Sequence, residues 1–268
     1  MMSIPVMKTF TENLNQLCTD FQQNVKESEH PSIDKKVQLS AETLEQFLLT
    51  QHFTPVQENT LLKLDSIAQL VPQTQAAYRY YQEDLERSYA QELVANNESE
   101  LDFTHSHLRR EGMLASKEAH FSNLSEHDRV LVIGTGYFPL HAMVYAGQFD
   151  AKVIGLEAQQ HVREHASRVI ESMELDSQIK IQDIRNLYAQ AAKANVIFVS
   201  RDMNDKVPLI NSLAEHLKPG TRVMCRTGFG LRAMLHAHVP HKQLQGFTQM
   251  GVLDAGKSSL QSSLCLLR

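Results

Sequence analysis

Apolar positions in the first part of the chain recur at steps of three and four. In residues 7–28 the series Phe10, Leu14, Leu17, Phe21 and Val25 predicts one amphipathic helix. Ser40 is a candidate N-cap for a second helix bearing Leu44, Phe47 and Leu48. Thr54-Pro55-Val56-Gln57 combines a capping threonine, a first-turn proline and a glutamine placed to close a capping box, so a third helix should start there and end at Pro72. Tyr78, Tyr81, Leu85, Tyr89 and Leu93 form the stripe of a fourth helix over 74–95, which carries four of the seven tyrosines. A fifth, over 104–120, has Leu108, Glu111, Leu114, Ala115 and Glu118, and Asn123 to Asp128 reads as a hinge.

Beyond the hinge the pattern changes to short apolar runs. Val130 to Ile133, Lys152 to Leu156, Ile179 to Gln182, Asn195 to Val199 and Arg222 to Arg226 predict five strands separated by helical stretches, which implies a parallel sheet. Two further strands, Phe247 to Leu253 and Leu260 to Leu267, read as a terminal hairpin. The expected architecture is α/β, with an all-helical domain (1–122) followed by a Rossmann-like domain (123–268) built on a mostly parallel, seven-stranded sheet.

Composition sharpens this division. All 11 glycines fall at or after Gly112. Residues 1–111 carry 9 Lys/Arg against 17 Asp/Glu, net −8, while the rest is net +3. Neither half has the basic surplus of a nucleic-acid binder. No apolar run reaches the ~18 residues of a membrane span, and no signal-peptide pattern opens the chain. Cys18, Cys225 and Cys265 have neither disulfide nor zinc spacing, which suits a reducing cytoplasm. His236, His238 and His241 come nearest to metal-ligand spacing, but solvated positions are the expected reading and no metal is predicted.

The glycines locate the candidate chemistry. The first strand runs into Gly134-Thr135-Gly136-Tyr137-Phe138-Pro139, and Pro139 suits the first turn of a helix over 139–147. Strand, glycine turn and helix make a nucleotide-binding opening, although the third glycine of a pyrophosphate fingerprint is missing. Glu157 lies 21 residues after Gly136, at the tip of the second strand, where a carboxylate accepts hydrogen bonds from ribose hydroxyls.

Five parallel strands plus a hairpin, without that fingerprint, resemble the class I S-adenosylmethionine-dependent transferases. In that resemblance Gly134 and Gly136 approach the methionine moiety, Glu157 binds the ribose and Asp183 faces the adenine amine. Thr135, Pro139 and Ser200 complete the expected donor site.

Two stretches narrow the family. Gly134-Thr135-Gly136-Tyr137-Phe138-Pro139-Leu140 and Arg226-Thr227-Gly228-Phe229-Gly230-Leu231-Arg232-Ala233 look like the G-S-G-x-x-P-[LM] and R-x-x-x-G-x-[KR]-A motifs of nicotianamine synthases and their bacterial relatives of the staphylopine and pseudopaline type. The resemblance covers roughly residues 80–240. It implies transfer of the 3-amino-3-carboxypropyl group of S-adenosylmethionine to the amine of an amino acid, with histidine the expected acceptor, and release of methylthioadenosine. Leu85-Glu86-Arg87-Ser88-Tyr89 occupies the slot of a family L-E-x-x-F pattern, which makes Glu86 the candidate general base. Tyr81 would then help wall the acceptor site, and the helical domain would act as a lid. Arg226 or Arg232 is the candidate partner of the arm's carboxylate. The family's Y-x-x-N or N-Y element has no tyrosine here. Phe103 to Leu108 stands in its place, with His107 as a candidate proton-handling group. Ser200-Arg201-Asp202 should lie near the acceptor.

The implied partners are a small-molecule acceptor and the donor, with no nucleic acid and no membrane; a homodimer stays open. Two other readings also stay open: a small-molecule methyltransferase, and a non-catalytic S-adenosylmethionine-binding protein.

Overall fold

A computed structural model describes residues 4–96, 106–200, 206–254, 256 and 259–268. The chain divides into two compact units. The first comprises 1–85, 227–238 and 256–261; the second comprises 86–226, 239–255 and 262–268. The expected boundary at 122/123 falls inside the second unit.

The first unit holds α1 (Ile4–Glu27), α2 (Lys35–Thr50), α3 (Pro55–Leu62), α4 (Asp65–Ala68) and α5 (Val71–Asn96) as far as Leu85. The α1 stripe is buried at Phe10, Leu14, Phe21 and Val25, with Leu14 and Phe21 at 0% exposure, while Leu17 is half-buried. The capping box at Thr54 is present in both directions: Thr54 N donates to Gln57 Oε1 at 2.8 Å, and Gln57 N to Thr54 Oγ1 at 3.3 Å. Two boundaries differ from the sequence reading. Asp34, not Ser40, caps α2, accepting from Lys36 N at 2.8 Å. Ser40 lies inside the helix and donates back to Val37 O, a bond that a mid-helix serine makes readily. Pro72 does not end a helix but sits in the first turn of α5, where its missing N–H costs nothing.

The second unit contains the rest of α5, α6 (Ser106–Phe121) and a seven-stranded sheet. The strands are β1 (Arg129–Ile133), β2 (Lys152–Glu157), β3 (Ile179–Asp183), β4 (Val196–Val199), β5 (Arg222–Thr227), β6 (Thr248–Leu253) and β7 (Ser262–Leu267). Their order is β3-β2-β1-β4-β5-β7-β6. The pairs β1–β2, β1–β4, β2–β3 and β4–β5 are parallel, and β6–β7 is antiparallel. The expected parallel sheet with a terminal hairpin is therefore present. Connecting helices are α7 (Leu140–Phe149), α8 (Gln160–Ser172), α9 (Leu187–Ala191) and α10 (Lys206–Ala214). β4 is buried along its whole length, and β7 along all but its last residue. The three thiols are buried, and burial pushes Cys18 and Cys225 up to about 11. No described helix is long and apolar enough to cross a membrane.

Candidate functional site

β1 is the central parallel strand, flanked by β2 and β4, so its C-terminal end opens where three strands meet. The loop that follows bends through two glycines in the left-handed region, Gly134 (φ +81°) and Gly136 (φ +67°), which a β-carbon would strain. Gly134 N donates to Leu156 O at 2.9 Å, tying the loop to β2. Gly155 in β2 makes room for the loop: a β-carbon there would lie 2.5 Å from Thr135 Cγ2. Pro139 is the N-cap of α7 rather than its first helical residue, with φ −75° and ψ 48°, and the helix starts one residue later than its spacing predicts.

Glu157 closes β2. Its carboxylate accepts from Gly136 N at 3.3 Å, Ala158 N at 2.8 Å and Gln159 N at 3.2 Å. Asp183 ends the neighbouring β3. Arg185 grips it with two nitrogens at 3.0 Å and Arg163 with one at 3.0 Å. The Arg185 hydrogen bonds lower its pKa to about 2, and its side chain is committed to these arginines. Ser200, after β4, donates its backbone N–H to Ile133 O at 3.0 Å.

Glu86 enters this loop from α5. A β-carbon built on Gly136 would lie 2.8 Å from Glu86 Oε2, so the carboxylate sits directly on the glycine face. Glu86, Leu108, Glu111, Gly134, Thr135, Gly136, Phe138, Leu140, His141 and Ser200 line one small cavity. Thr135 is 6% exposed, and its Oγ1 has no hydrogen-bond partner. A buried hydroxyl left unpaired is costly, and a polar ligand atom in this cavity would satisfy it.

Behind the cavity lies a buried ionic cluster that sequence reasoning did not assemble. Arg226, 3% exposed at the end of β5, donates from Nε and Nη2 to Glu118 at 2.9 and 2.6 Å. Its Nη1 donates to Glu111 Oε2 at 2.7 Å and meets His141 Nε2 at 2.6 Å. Tyr145 and Ser263 add hydroxyl donors to Glu118. Burial opposes the Glu118 charge, but the Arg226 guanidinium outweighs it and holds the carboxyl below its ordinary range. Burial and then the Arg226 charge lower His141, which is therefore neutral. Burial, with the Glu118 charge, raises Tyr145 well above its usual value. Arg226 is thus committed to its own chain's carboxylates, which corrects the expectation that it receives a substrate carboxylate directly. The available signal was the α6 stripe: Glu111 and Glu118 share the spacing of Leu108 and Ala115, which places two carboxylates on the buried face.

The remaining expected residues are placed as follows. His107 is 3% exposed and lies in α6, within the helix its spacing predicts. Phe103, Thr104, His105, Arg201 and Asp202 lie outside the described residues. In the first unit Tyr81 is 3% exposed, its ring packed on Phe21 and Tyr78, so it serves the helical core. Arg232 donates from Nη2 to Gly256 O. His236 is buried against Tyr78 rather than solvated, and His238 Nδ1 lies 3.0 Å from Gly228 O. Among the described residues no three His, Cys, Asp or Glu side chains form a metal-binding group.

A protein-family model described as nicotianamine synthase protein matches residues 7–266. Nicotianamine synthase 2 of Arabidopsis thaliana is 27% identical over 178 residues, 61% of this chain and 55% of that protein. The match thus spans about half the length of this curated relative. Among solved structures, MtNAS in complex with MTA and tNA superposes with a TM-score of 0.84 at 18% identity, covering 100% of this chain and 99% of that one. A glutamate-to-glutamine mutant of MtNAS in complex with S-adenosylmethionine gives 0.80 at 18% identity, covering 95% and 97%.

Proposed function

The chain belongs to the nicotianamine synthase family, and from that premise we propose that it transfers the 3-amino-3-carboxypropyl group of S-adenosylmethionine to the amine of an amino acid. The nitrogen lone pair attacks the arm carbon bound to sulfur. The carbon–sulfur bond breaks, its electron pair stays on sulfur, and neutral methylthioadenosine leaves. A sulfonium activates all three of its carbons, so the choice between methyl and arm transfer depends on which carbon is held in line with the nucleophile. Such positioning is worth roughly 7–11 kcal/mol.

One observation carries the reading: the Glu86 carboxylate sits against Gly136, on the loop that would cradle the donor, in a cavity shared with the unpaired Thr135 hydroxyl. The acceptor arrives as an ammonium and must lose a proton to attack. Glu86 takes that proton, a role that typically contributes about 10²–10⁴-fold. Gly134, Thr135, Gly136, Pro139 and Ser200 form the donor cradle, Glu157 receives the ribose hydroxyls, and Asp183 stands at the adenine side. His107 supports the proton path from α6.

The finer assignment is histidine as acceptor in an opine-type metallophore pathway in the cytoplasm. It follows the staphylopine- and pseudopaline-type relatives, which share with the nicotianamine synthases the two loop motifs that Gly134–Leu140 and Arg226–Ala233 resemble. The test is incubation with S-adenosylmethionine and a panel of amines, including D- and L-histidine, followed by mass spectrometry. Methylthioadenosine together with an amine heavier by one aminocarboxypropyl group is the expected result. S-adenosylhomocysteine as product refutes arm transfer. Glu86→Gln is expected to abolish turnover while retaining donor binding, and near-parental turnover removes Glu86 from the mechanism.

A further inference from the structure

Arg226 Nη1 touches two cavity-lining side chains at once, Glu111 Oε2 at 2.7 Å and His141 Nε2 at 2.6 Å. A guanidinium only donates, so His141 Nε2 can only accept. The 3.3 Å approach of His141 Nε2 to Glu111 is then a contact between two acceptors that share one donor, not an ion pair. This fixes the tautomer: the neutral ring carries its proton on Nδ1. Among the described residues every polar contact of His141 runs through Nε2, so the Nδ1–H of this cavity-lining ring is available to a ligand. The cavity lining therefore includes a carboxylate and an N–H donor side by side, both held by one buried arginine.

We propose that Glu111 and His141 form a head-group site for an α-amino acid, Glu111 receiving the ammonium and the His141 Nδ1–H the carboxylate, with Arg226 as the positioning residue. The complementarity is chemical. The Glu111 carboxylate supplies an acceptor for an ammonium, and the N–H donor supplies the matching contact for the carboxylate. The proposal rests on the transferase reading, because both donor and acceptor then carry such a head group.

The experiment pairs each ligand with its decarboxylated analogue. The full chain is titrated calorimetrically with S-adenosylmethionine and decarboxylated S-adenosylmethionine, and methylthioadenosine release is compared for histidine and histamine. The parent is expected to favour the carboxylate-bearing member of one pair by about tenfold to a hundredfold, the range for a hydrogen bond to a charged group. A preference in the first pair assigns the site to the donor, and one in the second assigns it to the acceptor. His141→Gln keeps an acceptor for Arg226 but loses the Nδ1-side donor, so that preference should vanish. His141→Asn keeps the donor and should retain it.

Equal loss in both variants indicates a structural role only and overturns the proposal, as does an unchanged preference in His141→Gln. Nitrogen NMR of the parent with labelled histidine is independent of whether the variants fold: an Nδ1–H signal that shifts on adding the carboxylate-bearing ligand supports the site, and an Nε2–H tautomer refutes it. A parent that binds the donor without forming methylthioadenosine refutes transfer, while the calorimetric pair still reads His141.

Discussion

Replacing Arg226 by Met separates the two parts this arginine could play. If it were a substrate ligand, the variant would keep its stability and lose affinity. The structure implies that stability falls first, with head-group binding weakened only indirectly, through the displaced Glu111 and His141. Arg226 is 3% exposed, Glu118 1% and Glu111 6%, so solvent screens the interaction little. Removing the cation leaves two carboxylates buried without it, and breaking a buried ionic cluster in this way costs about 3–5 kcal/mol. For a chain of this size the melting temperature should fall by roughly 6–20 °C.

The pH dependence has a fixed sign. In the parent, Glu118 is held below its ordinary pKa, so its stabilisation is complete above the unfolded value and is lost as pH falls. In Arg226→Met the same carboxyl is buried without its cation and titrates higher, so it prefers the neutral form. The gap between parent and variant should therefore narrow as pH drops from 7 toward about 4. The triple variant Arg226→Met, Glu111→Gln, Glu118→Gln should recover at least half of the loss. Circular dichroism melts across pH provide the assay. A single variant that melts within about 2 °C of the parent refutes the reasoning.

Other predictions follow from the same geometry. Gly136→Ala forces a β-carbon into a left-handed residue and against Glu86, so it should cost about 1–2 kcal/mol in backbone strain alone and slow methylthioadenosine release; an active, equally stable variant counts against the Glu86 contact. Thr135→Val removes a hydroxyl that has no partner in the chain, so melting should be unchanged or raised while donor affinity falls about tenfold; calorimetry decides, and unchanged affinity dismisses the hydroxyl as a ligand. Asp183 has its pKa lowered to about 2, so its contribution to stability is complete near neutrality and lost as pH falls below about 4 toward 2; Asp183→Asn should flatten the acid limb of a stability titration, and an identical limb would exclude it. Tyr81→Ala should cost about 3–5 kcal/mol by opening the helical core, with KM for the amine unchanged in the folded fraction; a selective rise in KM would return Tyr81 to the acceptor site.

Much of the fold was legible because local rules and tertiary packing agree. The α1 stripe, the Thr54 capping box and the apolar run of β1 each state their own element. Helix ends were harder to place. Ser40 and Asp34 are both competent caps, and only the chain's path chooses between them. Pro72 fits the first turn of a helix as well as the end of one. At the site, the places of Gly134, Gly136 and Glu157 beside the β1 loop were readable, because each has a backbone task at a fixed position in a strand–loop–strand unit. Arg226 was seen but given the wrong partner. An arginine in a motif looks like a ligand-binding cation until the 108 residues separating it from Glu118 are folded together. His141 gave no signal of its own, since its chemistry comes from the tautomer that Arg226 imposes.

The strand order has a consequence for how the molecule is made. β7 lies between β5 and β6, and its Ser263 hydroxyl reaches Glu118, 145 residues earlier. During synthesis, β1 to β5 emerge while the side of β5 that will receive β7 is still bare, and an uncovered strand edge recruits other chains. Arg226 and Glu118 can meet before then, but their cluster is complete only after residue 263 has left the ribosome. The arrival of β7 therefore sets the moment at which the open edge of β5 is covered and the sheet becomes safer from aggregation.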